Sequence, residues 1–148
     1  MAMDAAAEGV LGLRFHHVAL VARQLEPVAD FYCRVLGYRA AAPPVVDAEQ
    51  KVRVQFLHLG DFALELLEPT GPDSPVAQFV RSGGGLYHLC YECDDLEAAL
   101  ARLREAGSAV ARPPAVAPAI GGRRVAFLVT RQRQLIELVE SEPRGAPA

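Results

Sequence analysis

The chain contains a second copy of its own pattern. HHVALVARQLEPVADFYCRVLGY, starting at His16, lies over YHLCYECDDLEAALARLREAGS, starting at Tyr87, so that His17 falls on His88, Leu25-Glu26 on Leu96-Glu97, and Gly37 within one position of Gly107. Further along, VQFL (Val54 to Leu57) recurs as VAFL (Val125 to Leu128), and LEL (Leu64 to Leu66) as IEL (Ile136 to Leu138). Such self-similarity constrains a fold more than any single motif does, because each half is then built from the same parts in the same order.

Period and punctuation identify those parts. Residues 14–22 and 86–93 are apolar and aromatic at strand length, and each leads through acidic residues into an amphipathic helical pattern. In the second half Asp94 or Asp95 supplies the N-cap, Leu96, Ala99, Leu100 and Leu103 the apolar stripe, and Gly107 the stop. Three strands follow in each half, at about 37–42, 51–59 and 62–68, then about 108–112, 123–129 and 134–140. The pattern predicts an α+β protein of two βαβββ modules, residues 14–70 and 86–141, forming one domain with loose tails over 1–13 and 142–148. The linker, 71–85, holds the turn-rich PTGPDSP, a short helix over Val76 to Arg81, and SGGG. ARPPAVAPAIGG, residues 111–122, reads as an irregular excursion placed to rim a site.

Polar residues inside the apolar strands then stand out. In QLIELVE, Glu137 sits between Ile136 and Leu138 in a run that otherwise reads as buried on both faces. A buried carboxylate is costly unless paired, hydrogen-bonded or metal-bound. The duplication supplies company for it: His17 and Glu65 are 48 positions apart, His88 and Glu137 are 49 apart, so each half places one His early and one Glu late. His16 aligns with Tyr87 and points to the other strand face. Two imidazoles and two carboxylates from equivalent strands, His17, Glu65, His88 and Glu137, make a ligand set for a divalent metal. His58 has no counterpart in the second half and reads as a surface or loop residue. Cys90 and Cys93 form C-x-x-C, but three positions along a strand separate them by face, so they are expected to share neither an ion nor a disulfide.

Composition excludes several classes. The net charge is −3, which gives no basic field for nucleic acid, and no apolar run approaches the roughly 18 residues of a membrane span. MAMDAAAEG lacks the basic and apolar regions of a secretory signal. With 3 cysteines, an odd count, reduced thiols in a cytoplasmic compartment are expected.

At these same residues the sequence resembles the vicinal oxygen chelate (glyoxalase, bleomycin resistance, dioxygenase) superfamily, and within it the methylmalonyl-CoA epimerase branch. The resemblance runs from about Phe15 to Glu140 and is carried by the His16 segment, by LGDFALELLEPTGPDSPVAQFV and GGGLYHLCYECDDLEAAL, and by IGGRRVAFL with LIELVE. LELLEPTGPDSPVAQF is its most family-specific stretch. The resemblance implies a cupped, partly open mixed sheet around a central site. One divalent ion (Co, Zn, Ni, Mn or Mg) would sit on His17, Glu65, His88 and Glu137, in a protein that is commonly a homodimer.

Four protein ligands on an octahedral-leaning ion leave two adjacent positions for two oxygens of a small-molecule substrate. If that substrate is a 2-substituted malonyl-type thioester, on CoA or a carrier protein, Lewis-acid polarisation makes the α-proton removable as an enolate forms. The resemblance favours Glu137 as both ligand and catalytic base. The chain departs from the epimerases where their glutamate on the strand before LELLEP aligns with Val54, next to Gln55, and where VTRQRQ (129–134) replaces their usual turn. Arg123, Arg124, Arg131 and Arg133 are candidates for a phosphate contact, or simply a solvated face. Three classes stay open: an acyl-thioester epimerase or isomerase, a glyoxalase I-type lyase, and a non-catalytic binding or resistance protein, whose members generally lack the ligand quartet.

Overall fold

The structure, a computed structural model, describes residues 11–142. The tails expected over 1–13 and 142–148 therefore fall almost wholly outside the described residues. In chain order the elements are β1 (Arg14–Val21), α1 (Leu25–Arg34), β2 (Arg39–Ala40), β3 (Val45–Asp47), β4 (Val52–Leu59), β5 (Phe62–Pro69), α2 (Ala77–Arg81), β6 (Gly85–Cys93), α3 (Leu96–Glu105), β7 (Ala109–Ala117), a 3-10 turn (Pro118–Ile120), β8 (Arg123–Val129) and β9 (Leu135–Glu140). The class is α+β, with antiparallel hairpins in a mixed sheet and few helices.

Contacts group these elements into two units. The first is His17–Leu89 with Ala117–Gly122; the second is the chain up to His16, Cys90–Val116 and Arg123 onwards, so that β1 and β6 are each divided. In the first unit the strands are hydrogen-bonded in the order β2-β4-β5-β1, with β3 also on β4; in the second the order is β6-β9-β8-β7. The same sequence of neighbours therefore occurs twice. The sheet is mixed, because β5 runs parallel to β1 and antiparallel to β4.

The two hairpins share one register. Val54 faces Leu67 and Phe56 faces Glu65 in β4–β5, while Val125 faces Val139 and Phe127 faces Glu137 in β8–β9. The first hairpin closes through Gly60-Asp61 between paired Leu59 and Phe62, with Gly60 at φ +58°. The second closes through Arg131, Gln132 and Arg133: the Thr130 N–H donates to Gln134 O at 2.9 Å, and Arg133 is left-handed at φ +63°. A left-handed third residue is what a three-residue hairpin loop needs. The extra residue that separates 49 from 48 lies in this turn.

Three expectations are corrected. The excursion over 111–122 is largely strand, since β7 continues through Pro113 and Pro114 to Ala117. β7 ends its strand order, and prolines within sheets are confined to such edge strands or to bulges. In the first half the expected strand at 37–42 shrinks to two residues. Ala40 pairs with Leu57 and Val45 with Val54, so residues 41–44, with Pro43-Pro44, bulge opposite Gln55 and Phe56. The Gln55 side-chain amide fills the gap by donating to Ala42 O at 3.1 Å. Finally, His58 is no loop residue: it lies within β4, paired with Ala63 and Arg39, and is half-buried.

Apolar alternation holds each unit. In the first, Leu25, Leu57, Leu64 and Leu66 pack with α1 on one face, and Ala19, Val21, Val52, Val54, Leu67 and Val76 form the cluster on the other. In the second, Leu96, Ala99 and Leu100 of α3 pack on Cys93, Ala126, Leu128 and Leu138. Each fully buried leucine contributes about 1.5–3 kcal/mol. Helix α3 begins as expected, with Asp95 accepting from Ala98 N–H at 3.0 Å. Helix α1 has no such cap of its own; instead Glu68 of β5 accepts from Leu25 N–H at 2.6 Å.

Candidate metal centre

Strand alternation gathers three of the four expected ligands in the first unit. Ala19 is the cross-strand partner of Glu65, which puts His17, Ala19 and Val21 on the Glu65 face, while Val18 and Leu20 pack toward α1. His17 Nε2 lies 3.3 Å from His88 Nε2. Glu65 Oε1 lies 3.4 Å from the first and 3.5 Å from the second. All three residues are 5 % exposed or less. Aromatic rings hold the imidazoles: His17 meets Phe56 edge-on at 5.0 Å between centroids, and His88 tilts against Tyr87 at 5.4 Å, which in turn abuts Phe79 at 5.1 Å.

This donor set fits a divalent ion. Metal–ligand bonds of about 2.1 Å put neighbouring ligands about 3.0 Å apart at a right angle and about 3.4 Å apart at the tetrahedral angle. The observed separations are 3.3 to 3.5 Å. A single proton bridges only one pair of these three atoms at a time, whereas a cation satisfies all of them. In geometry and in donor chemistry these residues could hold a metal ion.

Glu137 belongs to the second unit. It lies on β9, 3 % exposed, across from Phe127 and beside fully buried Leu138. Its surroundings there repeat those of Glu65 on β5.

The other sequence candidates divide. Val54, 4 % exposed, packs in the apolar cluster of the first unit and has no proton to give. Gln55 has the parity of Leu57, toward α1, so it does not share the Glu65 face. His58 does share that face, because Ala63, its partner, lies two residues before Glu65 on β5. Two of the four arginines, Arg123 and Arg124, are engaged in ion pairs. Arg123 pairs with Glu92 and donates to Glu140 O at 2.7 Å, and Arg124 bridges Glu97 at 2.8 Å and Glu140 at 2.5 Å. The Arg131 side chain lies over Gly107, where a Cβ would approach its Nε to 2.1 Å. Burial alone would raise the Glu92 carboxyl, but hydrogen bonds from Arg123 and Arg14 outweigh it and hold the group below its ordinary value.

The cysteines Cys33, Cys90 and Cys93 are thiols. Cys93 lies in the apolar cluster under α3, and burial, followed by the charges of Glu140 and Asp94, pushes its thiol up from 9.0 to about 11.

Fold and site together define a protein class. The chain belongs to the Glyoxalase/Bleomycin resistance protein/Dioxygenase superfamily, which it matches over residues 16–127. Within that superfamily its relatives include epimerases. It is 40% identical over 99 residues to the ethylmalonyl-CoA/methylmalonyl-CoA epimerase of Cereibacter sphaeroides, covering 66% of this chain and 73% of that protein. It is also 40% identical over 95 residues to human mitochondrial methylmalonyl-CoA epimerase, covering 62% of this chain and 53%, about half, of the human protein. In three dimensions it is similar to a variant of Streptomyces coelicolor methylmalonyl-CoA epimerase in complex with 2-nitronate-propionyl-CoA. The TM-score is 0.78 at 29% identity, covering 90% of this chain and 98% of that one. Among the described residues no helix is long and apolar enough to cross a membrane.

Proposed function

We propose that the protein is a divalent-metal-dependent epimerase of a 2-substituted malonyl-type thioester, carried on CoA or a carrier protein, and that His17, Glu65, His88 and Glu137 hold the ion. The observation that carries this reading is the buried convergence of His17 Nε2, His88 Nε2 and Glu65 Oε1 within 3.5 Å of one another. Glu137 joins the set through the duplication: it occupies in β9 the place of Glu65 in β5, with the same cross-strand phenylalanine and the same depth of burial.

An ion of this kind, one of Co, Zn, Ni, Mn or Mg, supplies Lewis-acid polarisation of two neighbouring substrate oxygens. The chain's own residues do the rest. His17 and His88 act as neutral imidazoles whose rings the neighbouring aromatics orient, and Glu65 adds a negative charge that offsets the ion. Glu137 accepts the α-proton. Inversion also needs a proton delivered to the opposite face. Neither Val54, an alkyl group in a core, nor Gln55, an amide engaged with Ala42 O, is that donor. The same reading includes a cytoplasmic location, which suits three free thiols, and a homodimer, which sedimentation measures.

The test begins with protein purified without added metal, in which bound ions are quantified. Solvent-deuterium incorporation at the α-carbon of a 2-methylmalonyl thioester is then followed. Exchange should disappear on chelation and return with the metal. Exchange indifferent to chelation overturns the metal assignment. Turnover of a glutathione hemithioacetal without any thioester exchange makes the protein a lyase instead.

A further inference from the structure

We propose that Phe56 determines which 2-alkyl substituent the site accepts, an inference that rests on the malonyl-thioester reading above. A substrate held through its two carbonyl oxygens carries its substituent on the carbon between them, next to the ligand set. That group needs apolar surface within reach. On the Glu65 face of the first unit, Ala19, Val54, Ala63 and Leu67 are all 7 % exposed or less and are taken up by the core. Phe56 packs against the same cluster but is less covered. It stands directly across from Glu65, touches the His17 ring edge-on at 5.0 Å, and remains only half-buried.

Two further features mark the position. Phe127, which faces Glu137 in the same register, is 7 % exposed, so only one of the two equivalent aromatics keeps surface for a ligand. In the edge beside it, residues 41–44 bulge opposite Gln55 and Phe56, where a continuous strand would otherwise pair with β4. Phe56 itself stays half-buried beside that bulge. A substituent stacked there gains apolar contact, and one methylene too many meets the ring face, a discrimination worth about 10- to 200-fold in such pockets.

The experiment compares kcat/KM for α-proton exchange with 2-methylmalonyl and 2-ethylmalonyl thioesters in wild type, Phe56→Leu and Phe56→Ala. The binding constants of both thioesters are measured by calorimetry, and metal content is determined for each protein. The ratio of ethyl to methyl should rise stepwise from Phe to Leu to Ala, by about tenfold in total, in rates and in binding constants, each referred to the metal-loaded fraction of the protein. Leu86, 73 % exposed and two residues before His88 on β6, is the comparison site. Leu86→Ala should leave the ratio in place. A ratio that stays constant across both Phe56 variants while wild type is active overturns this inference alone, as does a larger change from Leu86→Ala. A wild type inactive on every malonyl thioester overturns the proposed function, and this inference with it.

Discussion

In the β4–β5 hairpin Glu65 stands across from Phe56, and Arg53 bridges Glu68 at 2.9 Å and Glu26 of α1 at 2.5 Å. In the β8–β9 hairpin Glu137 stands across from Phe127, and Arg124 bridges Glu140 and Glu97 of α3. These residues correspond one to one, so the duplication has kept the register, the carboxylate, its aromatic partner and an arginine tie from strand to helix. The helix starts differ. Glu68 holds the first turn of α1 from a neighbouring strand, whereas α3 uses its own Asp95. Only the second hairpin's unit has the Arg14–Glu92–Arg123 cluster, because the residue matching Glu92 is Val21.

The contrast has a physical basis. A one-residue slip in a strand turns every side chain to the other face, so positions in the sheet are locked together. A helix N-terminus needs only an acceptor near its free N–H groups, and any part of the chain can supply one.

The largest test of the equivalence sets Glu65→Gln beside Glu137→Gln. If the two carboxylates differ in role, Glu137→Gln retains metal through its amide oxygen yet loses at least about 100-fold in α-proton exchange, whereas Glu65→Gln loses chiefly metal affinity. Metal competition and deuterium exchange separate the two effects. Equal losses in both assays would make the halves functionally symmetric and remove Glu137 as the base.

Next in size are the helix starts. Glu68→Ala removes the acceptor for Leu25 N–H and leaves Arg53 with a single partner, so it should cost about 2 kcal/mol in urea unfolding. Asp95→Ala should cost about 1 kcal/mol. A reversed order would mean that α1 is held by its packing on Leu57, Leu64 and Leu66 rather than by the borrowed cap.

The charged cluster of the second unit should matter less. Glu92 is held below its ordinary carboxyl value in the folded protein, so its contribution is fully present above the unfolded value near 4.5 and fades as pH falls through the lower folded one. Glu92→Gln should therefore destabilise by about 1 kcal/mol or less at pH 7. The difference from wild type should shrink below about pH 4, as unfolding curves across the acid range would show.

The smallest effect concerns the thiols. With Cys93 pushed up to about 11, the folded state holds that proton more tightly than the unfolded chain does. Stability should then decline as pH rises from 9.0 toward 11, and be untouched by Cys93 below that window. Alkylation at pH 8 followed by peptide mapping should find half-buried Cys33 modified well before Cys93.

Much of the molecule was legible in the chain itself. The repeat gave the order of parts, and a His and a Glu at matching places in each half singled out His17, Glu65, His88 and Glu137, because a duplicated strand carries its face assignment with it. Asp95 and Gly107 were readable for a similar reason: capping and left-handed termination are local chemistry. The diprolines were not. Pro113-Pro114 continues β7 while Pro43-Pro44 breaks the first half's edge into β2 and β3, and a proline's effect depends on whether its missing N–H faces a neighbouring strand. The fates of Arg123 and Arg124 also escaped, since Glu92, Glu97 and Glu140 reach them across 31, 27 and 16 residues, respectively. His58 looked like a surface residue because its burial comes from partners on β2 and β5 that no window around it contains. Sequence determined what each strand presents and to which side. Tertiary structure decided which presented groups meet, because pairing across the sheet brings together residues that the chain keeps far apart, and it alone set His17, Glu65 and His88 within 3.5 Å of one another.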